Sequence, residues 1–531
     1  MPVSPTYPGV YIEEVASGVR TITGVPTSIT AFVGVSARGP VSDPVFVNSY
    51  ADYERTFGRL GADNPMAYSV FQYYQNGGSQ AIIVRITGAG AGSATIALDT
   101  GAGPDVVLTA SSSGAWGGQL RARVDYADTS GTDYNLTIRD MATGEQERYA
   151  KVSLDPNSNR RLDRMLESSA LAASTGALDQ RPVAHNNPTA VGADPLNPPV
   201  GGGTNTFTQA TPGALGSAAG ETELLGSEAS KTGIYQLLKT DIFNILVFPP
   251  LGVTELVTTT DGDPSLVSNA VLSQALALCY SRRAMLVVDS PVGWEDVQGA
   301  VTGMNSFALS GESAKNAALY FPYLRVTDPD TTQLGRKIDM PPAGAVAGVY
   351  ARTDVQRGVW KAPAGTDASL AGVPELSLKL TDLENGRLNP IGVNCLRSFP
   401  IIGRVVWGAR TLRGADVLAD DWKYVPVRRL ALFIEESLYR GTQWVVFEPN
   451  DEPLWGQIRL SVGAFMQNLF RQGAFQGSSA KEAYFVKCDR DTTTQNHINL
   501  GIVNIHVGFA PLKPAEFVII RIQQMAGQVE V

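Results

Sequence analysis

The chain has 531 residues, 44% hydrophobic and 18% charged. That is long enough for two to four domains with sizeable cores and has the balance of a globular protein. Its formal net charge of −9 argues against nucleic acid or an anionic membrane as the main partner, and no apolar run approaches the length of a membrane span. The opening Met1-Pro2-Val3-Ser4-Pro5 has neither a basic nor an apolar segment, so no signal peptide is expected. Cys279, Cys395 and Cys488 lie far apart and read as reduced, mostly buried thiols of a cytoplasmically made protein.

Pro2, Pro5 and Pro8 hold residues 1–22 in an extended path. Val10-Tyr11-Ile12 and Val15 can form a short strand that nothing local covers. The choice is between a frayed terminus and an arm that adds a strand to a neighbour's sheet. Residues 23–88 read as the first part of an α/β domain. A buried strand over 29–35 is followed by a short helix with Ser49 and Asp52 as its capping box and Gly58 as its stop. Asn64-Pro65 starts a second helix, with Met66, Val70, Phe71 and Tyr74 inward and Gly77 ending it, before a buried strand over 81–86.

Residues 88–118 are rich in Gly, Ala and Ser and mark a boundary. Alternation over 120–126 and 134–139 predicts a small antiparallel β unit, and 180–221 is low-complexity chain that cannot fold alone. Residues 89–225 are therefore expected as an outer, β-rich insertion. From 226 to 395 the α/β pattern resumes, with strands over 242–248, 284–289 and 317–326 and helices over 265–280, 294–306 and 341–353. This implies a largely parallel, layered sheet.

The next domain, 396–513, is read as α+β. A helix over 427–440 has Leu430, Ala431, Ile434 and Leu438 on one face, and a strand over 443–447 leads to the turn Glu448-Pro449-Asn450. A second helix follows, with Pro453 near its start and Leu454, Ile458, Phe465 and Leu469 inward, then strand signals over 483–488 and 498–509. Phe517-Val518-Ile519-Ile520-Arg521-Ile522, set off by Pro511 and Pro514, form a last strand in the terminal segment 514–531.

Enzymatic chemistry finds little support. A Ser-His-Asp site needs a histidine as proton shuttle, but His185 lies in the low-complexity stretch, and His497 and His506 lie in another domain than the α/β part. Residues 226–232 come near a phosphate loop through Lys231-Thr232, yet Ser230 stands where a glycine is needed. An exposed helix start is the simpler reading. The histidines and cysteines show no metal-ligand spacing, and Asp328, Asp330, Asp420 and Asp421 read as solvated loop carboxylates. Gly358 to Gly365 reads as a packed turn anchored by Trp360. No catalytic residue, metal or cofactor is expected.

Several strings occur in order: Pro5-Thr6-Tyr7-Pro8-Gly9-Val10-Tyr11, Val349-Tyr350-Ala351-Arg352, Gly358-Val359-Trp360-Lys361-Ala362-Pro363-Ala364-Gly365, Leu388-Asn389-Pro390 and Val406-Trp407-Gly408-Ala409-Arg410. Arg428-Arg429-Leu430, Val446-Phe447-Glu448-Pro449-Asn450, Trp455 and Pro514-Ala515-Glu516-Phe517 continue the series. Together they resemble the tail sheath proteins of contractile phages and related injection machines. The resemblance touches both ends and most of the second half, and is weak or absent over about 89–225.

It implies a subtilisin-like α/β domain (23–88 and 226–395) carrying the insertion, an α+β C-terminal domain, and terminal arms that exchange strands between subunits. The N-terminal arm, about 8–20, would act through Val10, Tyr11, Ile12 and Val15. The C-terminal arm, about 516–524, would act through Phe517, Val518, Ile519, Ile520, Arg521 and Ile522. The resemblance further implies a helical homo-oligomer around an inner tail tube, with baseplate and tail terminator proteins as further partners. Such a particle, a virion tail or its equivalent, is made in the host bacterial cytoplasm, and for the chain itself neither a nucleic-acid partner nor direct membrane insertion is expected. Its contraction, driven by energy stored at assembly, pushes the tube through a cell envelope. Arg459 and Arg471 are the tube-facing candidates, against a solvated or ion-paired role. Two other classes remain open at this point. One is an α/β hydrolase. The other is a host-surface-binding tail component whose insertion grips glycans, although Trp116 is the insertion's only tryptophan.

Overall fold

A computed structural model describes residues 20–61, 63–101, 103–126, 131–185, 194–196, 210–214, 216–251, 267–307, 309–330 and 335–521. They divide into two compact units: an α/β unit from 28–352 and 363–420, and a C-terminal unit from 20–27, 353–362 and 421–521.

The α/β unit opens with β1 Thr30–Val35, β2 Val45–Val47, α1 Tyr50–Phe57, α2 Pro65–Gln75 and β3 Ala81–Ile86. Ser49 caps α1, its hydroxyl accepting from the Asp52 N–H at 3.1 Å. The expected reciprocal bond lands one residue early, because Asp52 accepts from the Asn48 N–H at 3.3 Å. On α2 the inward face is broader than predicted: Met66, Tyr68, Val70 and Tyr73 are buried, while Phe71 and Tyr74 are only half-buried.

The insertion then builds two antiparallel sheets. β4 Thr95–Leu98, β5 Val106–Ala110 and β9 Ala172–Gly176 form one, in the order β4-β5-β9, and β6 Leu120–Asp125, β7 Tyr134–Asp140 and β8 Gln146–Val152 form the other. With the short helix α3 Leu162–Met165 they enclose a core of their own, centred on Leu108, Val124, Leu136 and Leu171. The insertion's entry and exit pair with each other at Gly92 and Ala214, through reciprocal backbone bonds of 2.9 Å. The fully buried Arg85 at the end of β3 ties it to the body, donating to the carbonyls of Ser36 and Gly39 and to that of Ser113. The expected insertion end at 225 is too late. Ala219, and Leu224 on α4 Glu221–Leu225, pack in the core of the body.

The body continues with β10 Ile245–Val247, α5 Asn269–Ser281, β11 Met285–Asp289, α6 Val297–Asn305, β12 Ala317–Phe321, β13 Leu324–Thr327, β14 Lys337–Met340, α7 Ala343–Arg357, β15 Glu375–Leu376, α8 Asp382–Leu388, β16 Val393–Phe399 and β17 Gly403–Val406. Eight strands form one sheet in the order β17-β16-β12-β11-β10-β1-β3-β2, parallel except for the edge strands β2 and β17. The strand expected over 317–326 is two strands parted at Pro322, which has no N–H to give a ladder. The expected boundary at 395/396 also moves. β16 and β17 belong to the large sheet, and the units divide at 420/421.

The C-terminal unit holds α9 Val425–Gly441, α10 Glu452–Arg471, α11 Ala480–Ala483, β18 Tyr484–Lys487, α12 Gln495–Asn499 and β19 His506–Phe509. Leu430, Ile434, Leu454, Trp455, Ile458, Phe465 and Leu469 centre its core. Two expected strands fail. Residues 443–447 form a single 3₁₀ turn, Gln443–Val445, ending at Phe447 with φ 70°, and 498–505 is the end of α12 and a loop rather than strand. The overall class is mixed α/β with several domains. Among the described residues no helix is long and apolar enough to cross a membrane.

Candidate functional site

The strings singled out in the sequence form joints of the fold. Asn394 on β16 donates to the Arg410 carbonyl at 2.7 Å and accepts the Arg410 N–H at 2.6 Å. The buried Arg410 guanidinium reaches the Asn389 carbonyl and Asp416. Gly408 is needed beside them, since a Cβ there would stand 2.9 Å from Asn394. Tyr350 shares a 2.6 Å hydroxyl contact with Tyr320. Asn450 accepts from the Trp455 indole at 2.9 Å and donates to the Ile502 carbonyl at 3.1 Å, which fastens the turn before α10.

The groups weighed for catalysis are engaged elsewhere. The His185 Nδ1 accepts the Val124 N–H at 3.1 Å, and burial pushes its pKa down. His497 bonds Thr494 and Asn504 around α12, and His506 lies on β19. The loop before Thr232 folds on itself, Ser227 donating to the Thr232 hydroxyl at 2.9 Å, and leads into 3₁₀ helix rather than α-helix. Among the described residues no three His, Cys, Asp or Glu gather as metal ligands. Asp421 is exposed, as expected, but one member of each acidic pair is not a solvated carboxylate. Asp328 is buried against Arg336 and Tyr68, and Asp420 pairs with Arg413. Asp289, at the end of β11, accepts the Ala343 N–H at the start of α7 at 2.7 Å. Burial pushes its carboxyl up to about 8, opposed by that bond.

The remaining candidate is a surface of the C-terminal unit. β18 and β19 pair antiparallel, Tyr484 opposite Phe509 and Lys487 opposite His506. Among the described residues each has the other as its only strand neighbour, apart from a bridge between Phe475 and Pro511. Each strand thus leaves an outer edge, and Phe485 is exposed on the pair. Beyond it, Phe517, Val518, Ile519 and Ile520 are 73–82% exposed, with no described strand pairing. Four consecutive apolar side chains open to water on both alternating faces are an incomplete structure. Arg521 is exposed too, while Ile522 lies outside the described residues, as do Val10, Tyr11, Ile12 and Val15.

The described stretch that leads out of the N-terminal arm is docked in its own chain. Ile22 is buried in the core, the Val25 N–H reaches the Ser437 hydroxyl at 3.2 Å, and the Arg20 guanidinium lies over the Trp444 ring, 4.7 Å from its centre. Thr27 donates to Asp354 at 2.7 Å, and Asp354 makes a two-point pair with Arg429 at 2.8 and 2.6 Å. Of the two arginines on α10, Arg459 pairs with Glu452 at 2.7 Å and reaches the Cys488 carbonyl, while Arg471 is exposed in the last turn. Sequence reading missed the docked stretch, whose short polar and small residues give no periodic signal.

Comparison with known proteins places this surface in context. Residues 241–412 match the family model described as the phage tail sheath protein central domain, and residues 419–525 match the phage tail sheath C-terminal domain. Together these span more than half of the chain. The chain belongs to the phage tail sheath family. It is 24% identical over 233 residues to the tail sheath protein of Enterobacteria phage T4, covering 42% of this sheath chain and 33% of that protein. It is 29% identical over 131 residues to the tail sheath protein of Vibrio phage KVP40, covering 24% of this chain and 19% of the relative. The aligned parts thus span a third or less of those two relatives' lengths. The sheath complex of an extracellular contractile injection system, PVC, in its contracted state shares the fold, with TM-score 0.57 and 22% identity over 98% of this chain and 99% of that one.

Proposed function

We propose that this chain is the structural subunit of a contractile tail sheath, joined to its neighbours by exchanged β-strands. The observation that carries the reading is the exposed Phe517–Ile520 ribbon in a unit whose two-stranded sheet has no further strand among the described residues. An open edge templates another chain, and a two-stranded sheet is marginal until strands are added. The C-terminal ribbon of one neighbour and residues 8–20 of another supply such strands. Six ladder bonds contribute about 1 kcal/mol each, and ordering the arms takes back several kcal/mol. One junction is modest, but a helical lattice repeats it many times, and head-to-tail contacts that do not close into a ring build an open helix.

The lattice forms around an inner tube, with baseplate and terminator proteins at its ends, in a virion tail or equivalent particle. The arms keep neighbours linked while the bodies move to a packing that buries more surface. That shortening drives the tube through a cell envelope with energy stored at assembly. The α/β unit, on a subtilisin-like plan, serves as a rigid body and not as a hydrolase. Among the described residues, His185 and His497 are held in hydrogen bonds of their own and His506 lies on β19 of the other unit. Arg471 is the better placed tube-facing candidate, since Arg459 is held in an ion pair.

The test is electron microscopy of purified full-length protein without nucleotide. Tubes or long sheaths are expected, and monomers alone at high concentration would count against the reading. Removing residues 1–19 should leave a cooperatively folding subunit that no longer polymerises. Normal polymers from that truncation would overturn the arm model.

A further inference from the structure

Resting on this strand-exchange reading, we propose that α9 is the strut through which tension passes between the two arms of one copy. Thr27, Asp354 and Arg429 are the positioning residues that fasten the N-terminal arm to it. Both arm roots lie on this one helix: the N-terminal root enters at its C-terminal end and runs along it, and the C-terminal root meets its N-terminal end. The N-terminal root meets it near its C-terminal end, where Ile22 packs on Gly441, and runs back along it past Ser437 to Arg429. The C-terminal root meets the other end, where the hydroxyl of Tyr424, the residue capping α9, donates to Glu516 at 3.2 Å. A helix of 17 residues spans about 25 Å at 1.5 Å per residue.

This geometry decides how a pull is borne. The root lies along the helix, so a pull along the axis of α9 shears all of its contacts at once instead of peeling them one by one. The close approach is built in. A Cβ on Gly441 would stand 2.5 Å from Ile22, and one on Gly24 would stand 2.8 Å from the Phe433 ring. The last joint is the strongest. The Asp354 and Arg429 side chains are 4% and 3% exposed, Thr27 donates to the same carboxylate, and Arg429 also donates to the Thr27 carbonyl at 2.9 Å. Three segments distant in sequence are thereby locked at one point, far more than an eight-residue stretch needs merely to lie on a surface.

The test uses full-length protein with Thr27→Val, Gly441→Val and Thr27→Ser. Thr27→Val removes the donor to Asp354 but leaves the Arg429–Asp354 pair, and Gly441→Val pushes Ile22 off the helix. Hydrogen exchange over 20–27 in the soluble subunit is expected to accelerate about tenfold or more in both valine variants, with little change in the core. Their polymers should form but break into several-fold shorter pieces under shear, while Thr27→Ser behaves as wild type. Wild-type exchange over 20–27 at the free-chain rate would overturn the proposal. So would valine variants with a loosened root and normal shear resistance. Polymers that survive removal of 1–19 would sink the strand-exchange reading itself. Loss of polymer on that truncation, with mechanically normal valine variants, would sink only the strut.

Discussion

Asp354 and Arg429 meet with both carboxylate oxygens and both terminal nitrogens engaged, out of reach of water. Removing one partner of such a pair strands the other charge, so Asp354→Asn is expected to cost about 3–5 kcal/mol. A fall in the denaturant midpoint of the soluble subunit checks it. Replacing both residues by apolar ones of similar volume should recover most of the loss, because the desolvation of two charges disappears with them. Asp289 gives a pH signature. Its carboxyl rises from 3.8 to about 8, so between those values the native state keeps a proton that the unfolded chain has shed. Stability therefore falls as pH rises through that window and levels off above it. Asp289→Asn should remove the slope, matching wild type near the lower end and exceeding it at the upper end in melting temperature, since an amide oxygen still accepts the Ala343 N–H.

Helix ends show how far local sequence reaches. Asp451 caps α10, accepting from the Leu454 N–H at 3.1 Å, and Pro453 follows in the first turn. Asp451→Ala should cost about 1 kcal/mol, read as a drop of a few degrees in melting temperature. The start of this helix was legible from Pro453 and the apolar period, while the Asp451 cap was not read. The alternating α/β order and the buried strands of the body were legible from their apolar patterns too. Residues 443–447 were not. Their β-rich composition predicts a strand, but Trp444 and Val445 pack against the core from a 3₁₀ turn, and tertiary packing overrides propensity. The edge strand β17 and the second half of β16 fell on the wrong side of the expected boundary because membership of a sheet depends on distant partners that spacing does not reveal. Asp328 and Asp420 read as surface carboxylates since their arginine partners are named only by the fold.

At the scale of the molecule, the apolar C-terminal ribbon was plain in the sequence, whereas the docking of the N-terminal root was not. Ile22, Gly24 and Thr27 acquire meaning only beside α9 and Asp354. If copies are joined by backbone ladders and apolar side chains, salt should matter little. Polymers are expected to persist at about 1 M NaCl, where the Debye length is about 3 Å. Sedimentation checks this, and dissolution into subunits would indicate a lattice held by surface charge instead.

The neck of the β-rich insertion has a practical outcome. Its incoming and outgoing strands touch at Gly92 and Ala214, so a visiting fold with adjacent termini can be spliced there without stretching the host. Arg85 would need a substitute for the Ser113 carbonyl, and a short Gly-Ser adaptor with a free carbonyl could serve. Every repeat of a filament would then display one passenger at a fixed spacing, making the chain a ready scaffold for ordered cargo.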